Sequence, residues 1–146
     1  MGASGWDYYV PYREDIGAAL AGLRQEVFDA QDYYWDPWDE DAPDRSRTRP
    51  ATIEELWEDE GVQEEGTHSI LDMERVLRPG EQPDYGTVEP VRPEEARRLT
   101  GTDVLTREHI QAIEPLAARR WFGRVAVLHD SAGLPRELYF WGFSGD

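Results

Sequence analysis

The chain has 146 residues, with 31 Asp and Glu against 15 Arg and no Cys, so its formal net charge is −16 and its pI is about 4.4. A chain of this length suits one domain; the lack of Cys excludes disulfides and thiolate chemistry, and no run reaches the roughly 18 to 20 apolar residues of a membrane span. A strongly negative field repels phosphate backbones and steers basic partners, which argues against direct nucleic-acid binding.

The N-terminus, MGASGWDYYV, has neither a basic nor an apolar leader segment, so a cytoplasmic location is expected. The run WDYYVPY reads as a short strand, with Pro11 placing it at a sheet edge or end. Ile16, Leu20, Leu23 and Val27 then repeat at the spacing that puts one apolar stripe on a helix over about residues 14–30. Residues 31–51 hold three prolines and no clear period, which predicts a long acidic and aromatic loop.

Thr52 and Glu55 match a capping box, and Ile53, Leu56 and Trp57 give the following acidic helix an apolar face as far as about Glu60. THSILDMERVL reads as a strand, although Ile70, Met73 and Leu77 also fit a helical period. Val88 and Val91 around Pro90 predict a brief edge strand. Pro93, Glu94 and Glu95 begin a short helix that ends near Gly101.

Thr106 caps a further helix that turns Ile110, Ile113 and Leu116 inward, with Arg119 and Arg120 at its C-terminal end. WFGRVAVLH and RELYFWGFS, joined by DSAGLP, form the clearest hairpin in the chain. Val125 and Val127 alternate with Ala126 and Leu128, and Leu138 and Phe140 with Tyr139, Trp141 and Phe143. Both faces are therefore apolar, and helices should cover them. The predicted fold is a single α+β domain, an antiparallel sheet with a C-terminal hairpin and three to four packed helices.

The stretches GTHSILDMERVL from Gly66 and RRWFGRVAVLHDSAGLPRELYFWGFSGD from Arg119 resemble those of a family of short, acidic, uncharacterised actinobacterial proteins. The resemblance implies a discrete small domain. It attaches no activity and carries over no site residues.

The charge is uneven. Residues 1–90 hold 23 acids against 7 Arg, whereas residues 91–146 hold 8 of each. Acids at 29, 32, 36, 39, 40, 41 and 44 surround four rings, with no base among them. Tyr and Trp dominate interface hot spots, and carboxylates beside them pair with Lys and Arg of a partner. The candidate partner-binding residues are therefore Asp32, Tyr33, Tyr34, Trp35, Asp36, Trp38, Asp39, Glu40 and Asp41. Some of these rings could instead fold back to seal the core. A second acidic run covers residues 54–65; its carboxylates read as an exposed helix face or as an imitation of phosphate spacing.

Enzyme signatures are sparse. GVQEEGT from Gly61 has two glycines but no P-loop Lys. Asp36, Asp39 and Asp41 suggest calcium, but Asp and Arg stand at 41 and 47, where an EF-hand needs Gly and Glu. His68, His109 and His129 show no metal-ligand spacing. Arg119, Arg120 and Arg124 read as helix capping and ion pairing with the acidic half.

The sequence thus predicts no catalytic residue, metal or cofactor. It points to an acidic interaction domain, of the immunity or antitoxin type, that blocks a basic protein such as a nuclease. The alternative is a small enzyme or small-molecule-binding domain with a pocket between sheet and helices, using His68 or His129.

Overall fold

A computed structural model describes residues 3–39 and 41–146. The strands are β1 (Gly5–Pro11), β2 (Trp38–Asp39), β3 (Ala42–Ser46), β4 (Arg75–Val76), β5 (Thr87–Pro90), β6 (Phe122–His129) and β7 (Pro135–Phe143). The helices are α1 (Ile16–Asp29), α2 (Ile53–Trp57), α3 (Glu60–Glu65), α4 (Pro93–Thr100) and α5 (Ile110–Ile113). The main sheet has the order β1-β7-β6-β5-β4, while β2 and β3 pair separately.

The single α+β domain and the C-terminal hairpin stand, but the sheet is mixed. β1, β7 and β6 are antiparallel, whereas β5 runs parallel to both β6 and β4. A parallel pair needs a crossover, and the stretch from α4 through α5 supplies it between β5 and β6.

The alternation along the hairpin sorts side chains into two cores. Val125, Leu138 and Phe140 join Trp6, Leu20, Leu23, Val27, Leu56 and Val62 on the α1 face. Ala126, Leu128, Tyr139 and Trp141 join Ala96, Ile110 and Ile113 on the α4–α5 face. Each large aliphatic or Phe side chain removed from water in this way contributes roughly 1.5 to 3 kcal/mol.

Several local expectations are confirmed by their hydrogen bonds. Thr52 Oγ1 accepts from the Glu55 N–H to start α2, and the start of α1, for which no cap was expected, is held by the Asp15 carboxylate accepting from the Ala18 N–H. Gly101, at φ +83°, closes α4 in the left-handed region that favours glycine.

Other expectations are corrected. The loop over 31–51 contains the β2–β3 ladder, in which Trp38 pairs with Ser46. The expected acidic helix to Glu60 is two helices, because the Asp59 carboxylate caps a new start at α3. THSILDMERVL is a 3-10 turn over Ile70–Asp72 followed by the two-residue β4. Here Ser69 Oγ accepts from the Leu71 N–H and the Asp72 carboxylate accepts from the Thr67 N–H, so the chain bends back on itself.

The strand around Pro90 is not an edge, since β5 lies between β4 and β6. β4 covers only Thr87 and Val88, which leaves Pro90 unopposed on the side where it has no N–H to give. The helix after Thr106 passes into a 3-10 turn at Glu114–Leu116, with Pro115 inside it, so Arg119 and Arg120 lie beyond it and do not cap it.

Candidate functional site

The structure divides the candidate residues by the direction of their rings. Trp35 is 9% exposed and belongs to the α1-face core; its Nε1 donates to Asp59 Oδ2 at 3.2 Å. Tyr33 is half-buried and stacks on Phe28 with centroids 5.8 Å apart. These two rings seal the core and do not present a free surface. Tyr34 and Trp38 point outward, at 46% and 57% exposure.

Tyr34 is anchored despite its exposure. Its N–H donates to the Thr67 carbonyl at 2.7 Å, and its ring stacks on His68 at 4.7 Å. His68 Nε2 in turn lies 3.3 Å from Asp146 Oδ2, and that carboxylate accepts from the Ser4 hydroxyl and N–H. Asp36 Oδ1 accepts from the Trp38 N–H at 2.9 Å, which forms the turn into β2. Asp32 and Asp41 are exposed, Asp39 lies in β2, and Glu40 is outside the described residues.

Arginines just beyond the acidic window fold back onto it. Arg47 stands 4.7 Å over the Trp35 ring and pairs with Asp59 Oδ2 at 2.5 Å. It also donates to the Asp36 carbonyl. Arg49 lies over Tyr33 at 5.0 Å. Sequence reasoning missed these residues because the window was closed at Asp44; the signal was the alternation of Arg45, Arg47 and Arg49 after a turn.

Asp59 is the second missed residue, and it joins three elements. One of its oxygens caps α3 through the Gly61 and Val62 N–H groups, while the other accepts from Trp35 and Arg47. Burial alone would raise its pKa, but these hydrogen bonds and the Arg47 charge outweigh that and hold it below the usual aspartate value.

The result is a cleft of about 490 Å³ between the β2–β3 hairpin and the α2–α3 turn. Asp36 and Asp41 come to it from the first acidic run, and Glu58, Asp59, Glu60, Glu64 and Glu65 from the second. Tyr34 and Trp38 also line it, and Arg47 is the one base among its described lining residues. Two acidic runs that are separate in sequence therefore share one concave surface. Such a surface concentrates negative potential, because field lines focus in a cleft with low-dielectric walls.

The histidines are engaged elsewhere. His129 Nδ1 lies 2.9 Å from the Leu105 carbonyl oxygen, which also accepts from the His129 N–H. His109 Nδ1 accepts from the Thr106 N–H at 3.0 Å as part of a helix cap. Arg124 pairs mainly with Glu95, and also with Glu89 of the acidic half at 3.4 Å; Arg119 lies over the Phe122 ring.

No helix among the described residues is long and apolar enough to cross a membrane. Fold and site together define an α+β domain with an acidic cleft rimmed by aromatic rings. No protein-family model, curated protein or solved structure matches the chain.

Proposed function

We propose that the chain is an acidic protein-interaction domain of the immunity or antitoxin type. Its cleft receives Lys and Arg side chains of a basic partner, such as a nuclease, and blocks it. The observation that supports this reading is the convergence of Asp36 and Asp41 with Glu58, Asp59, Glu60, Glu64 and Glu65 on one concave surface with Tyr34 and Trp38 beside it. Exposed carboxylates speed encounter with a basic partner, and the rings supply contact area once it has docked.

The test is affinity capture from host lysate at low salt and at about 0.5 M salt, where the Debye length is only a few ångströms and purely electrostatic adherents are lost. One stoichiometric basic protein should survive the wash and disappear with the Tyr34→Ala/Trp38→Ala variant. A well-folded bait that retains nothing, or retains the same protein after both rings are removed, overturns the assignment.

The alternative built on His68 or His129 has less support. His129 is held by a backbone carbonyl, and His68 is stacked on Tyr34 beside Asp146. Neither histidine lines the acidic cleft or a second cavity of about 650 Å³.

A further inference from the structure

That second cavity, about 650 Å³, lies across α1, α2 and the N-terminal ends of the parallel strands. Glu74 precedes β4, Gly86 precedes β5 and Trp121 precedes β6. Its volume falls in the range of small-molecule sites, roughly 300 to 1,000 Å³.

Trp57 and Trp121 form its apolar wall, with ring centroids 5.9 Å apart and planes at 51°. Both rings are held in place. Trp57 Nε1 donates to the Leu71 carbonyl at 2.9 Å. Trp121 has φ +70°, a region that a bulky residue rarely adopts. Its backbone is pinned there, since its N–H donates to the Phe143 carbonyl and its carbonyl accepts from the Gly86 N–H. Its ring packs so closely under Gly145 that a Cβ there would collide with it.

Arg24, Glu54 and Glu74 also line this cavity, and none of their side chains makes a hydrogen bond or close ion pair among the described residues. The Nε of Arg24 is buried without an acceptor, a costly state for a donor removed from water. Glu54 and Glu74 are near enough to act on the Arg24 charge without binding it. Asp72 is already committed, accepting from the Thr67 N–H, the Thr67 hydroxyl and the Ser144 hydroxyl.

An anion alone would satisfy Arg24 but meet two glutamates, and a cation alone would meet Arg24. A ligand carrying both charges removes the conflict. We propose that this cavity binds a zwitterionic aromatic amino acid or short peptide, its carboxylate on Arg24, its ammonium toward Glu54 and Glu74, and its ring against Trp57 and Trp121. The site is independent of the acidic cleft, so failure of either reading leaves the other standing.

The test is calorimetric titration of the full chain with L-tryptophan and with the dipeptide glycyl-tryptophan, which separates a free amino acid from a peptide source. Tryptamine and indole-3-propionate each lack one of the two charges. At least one zwitterion should bind, and the singly charged compounds should bind at least about tenfold more weakly, as loss of a charge-assisted hydrogen bond requires. Arg24→Gln should weaken the zwitterion about tenfold or more and should not weaken tryptamine, which is relieved of a like charge. The Glu54→Gln/Glu74→Gln variant should weaken it comparably and should not weaken indole-3-propionate, which is relieved of two like charges, with circular dichroism establishing that both variants fold.

In NMR spectra the indole N–H of Trp57 should shift on titration and that of Trp141, on the opposite sheet face, should not. No heat from either zwitterion, tighter binding of tryptamine, or unchanged affinity in Arg24→Gln overturns the proposal.

Discussion

Arg124 of β6 and Glu95 of α4 form a two-pronged ion pair, Nη2 to Oε1 at 2.5 Å and Nη1 to Oε2 at 3.3 Å, with both residues only 7% exposed. Arg124 also donates from Nε to the Glu89 carbonyl and from Nη2 to the Pro90 carbonyl, and the Arg92 N–H donates to Glu95. One guanidinium thus ties α4 to the end of β5 and to β6. The cluster replaces part of the apolar contact that a short α4, with only Glu95 and Ala96 buried, lacks.

The pair sets an acid limit on stability. Burial alone would raise the Glu95 pKa, but the hydrogen bonds from Arg124 and Arg92 outweigh it and lower it from 4.5 to about 2. The folded value lies below the unfolded one, so the contribution is complete above pH 4.5 and is lost as pH falls toward 2. Its size is at most about 3 kcal/mol. In thermal denaturation, Glu95→Gln should cost most near neutral pH, and its difference from the parent protein should shrink below pH 4.5. Parallel acid profiles would refute the pairing.

The rings of the candidate site should separate into stability and binding. Trp35→Ala leaves a cavity in the core and should lower stability by about 3 to 5 kcal/mol. Trp38→Ala removes an exposed ring and should change it by no more than about 0.5 kcal/mol. Urea denaturation of the two variants measures this directly; equal losses would mean that Trp38 packs inward.

Asp59 should act as the joint of the acidic cleft. Asp59→Ala removes the α3 cap and the partner of Arg47, at a cost of about 1 to 2 kcal/mol. The Arg47 N–H, which donates to the Pro37 carbonyl across the β2–β3 turn, should then exchange faster with deuterium, while the N–H groups of β6 and β7 should not. Unchanged exchange at Arg47 would show that the hairpin holds its place without Asp59.

Gly142 should tolerate no side chain. It pairs with Gly123 across β6–β7 and with Trp6 on β1, and a Cβ there would lie 2.5 Å from Trp6 Cζ2 and 2.7 Å from the Phe122 carbonyl oxygen. The two glycines form the trough in which the Trp6 ring lies. Gly142→Ala should destabilise by about 1 to 3 kcal/mol through overpacking, read from the urea midpoint. A midpoint equal to that of the parent would mean that the Trp6 ring swings clear at no cost.

By itself the sequence determined what depends on neighbouring residues. Period-two alternation separated Val125 from Ala126 and Leu128, and Leu138 and Phe140 from Tyr139 and Trp141, because side chains alternate across a strand whatever its partner. Thr52 and Gly101 marked helix ends because capping is a local exchange of hydrogen bonds. The excess of acids and rings over residues 29–44 was equally plain.

Pairing and direction were decided only by the tertiary structure. Alternation says which face a residue occupies but not which strand lies beside it, so the parallel pairing of β5 with β4 and β6 left no local mark. The division of Trp35 inward and Trp38 outward depends on Asp59 and Arg47, 24 and 12 residues away from Trp35, closing on one ring. The acidic cleft itself exists because the core beneath it brings together two runs whose like charges repel, and burial of Trp35, Leu56 and Val62 outweighs that repulsion.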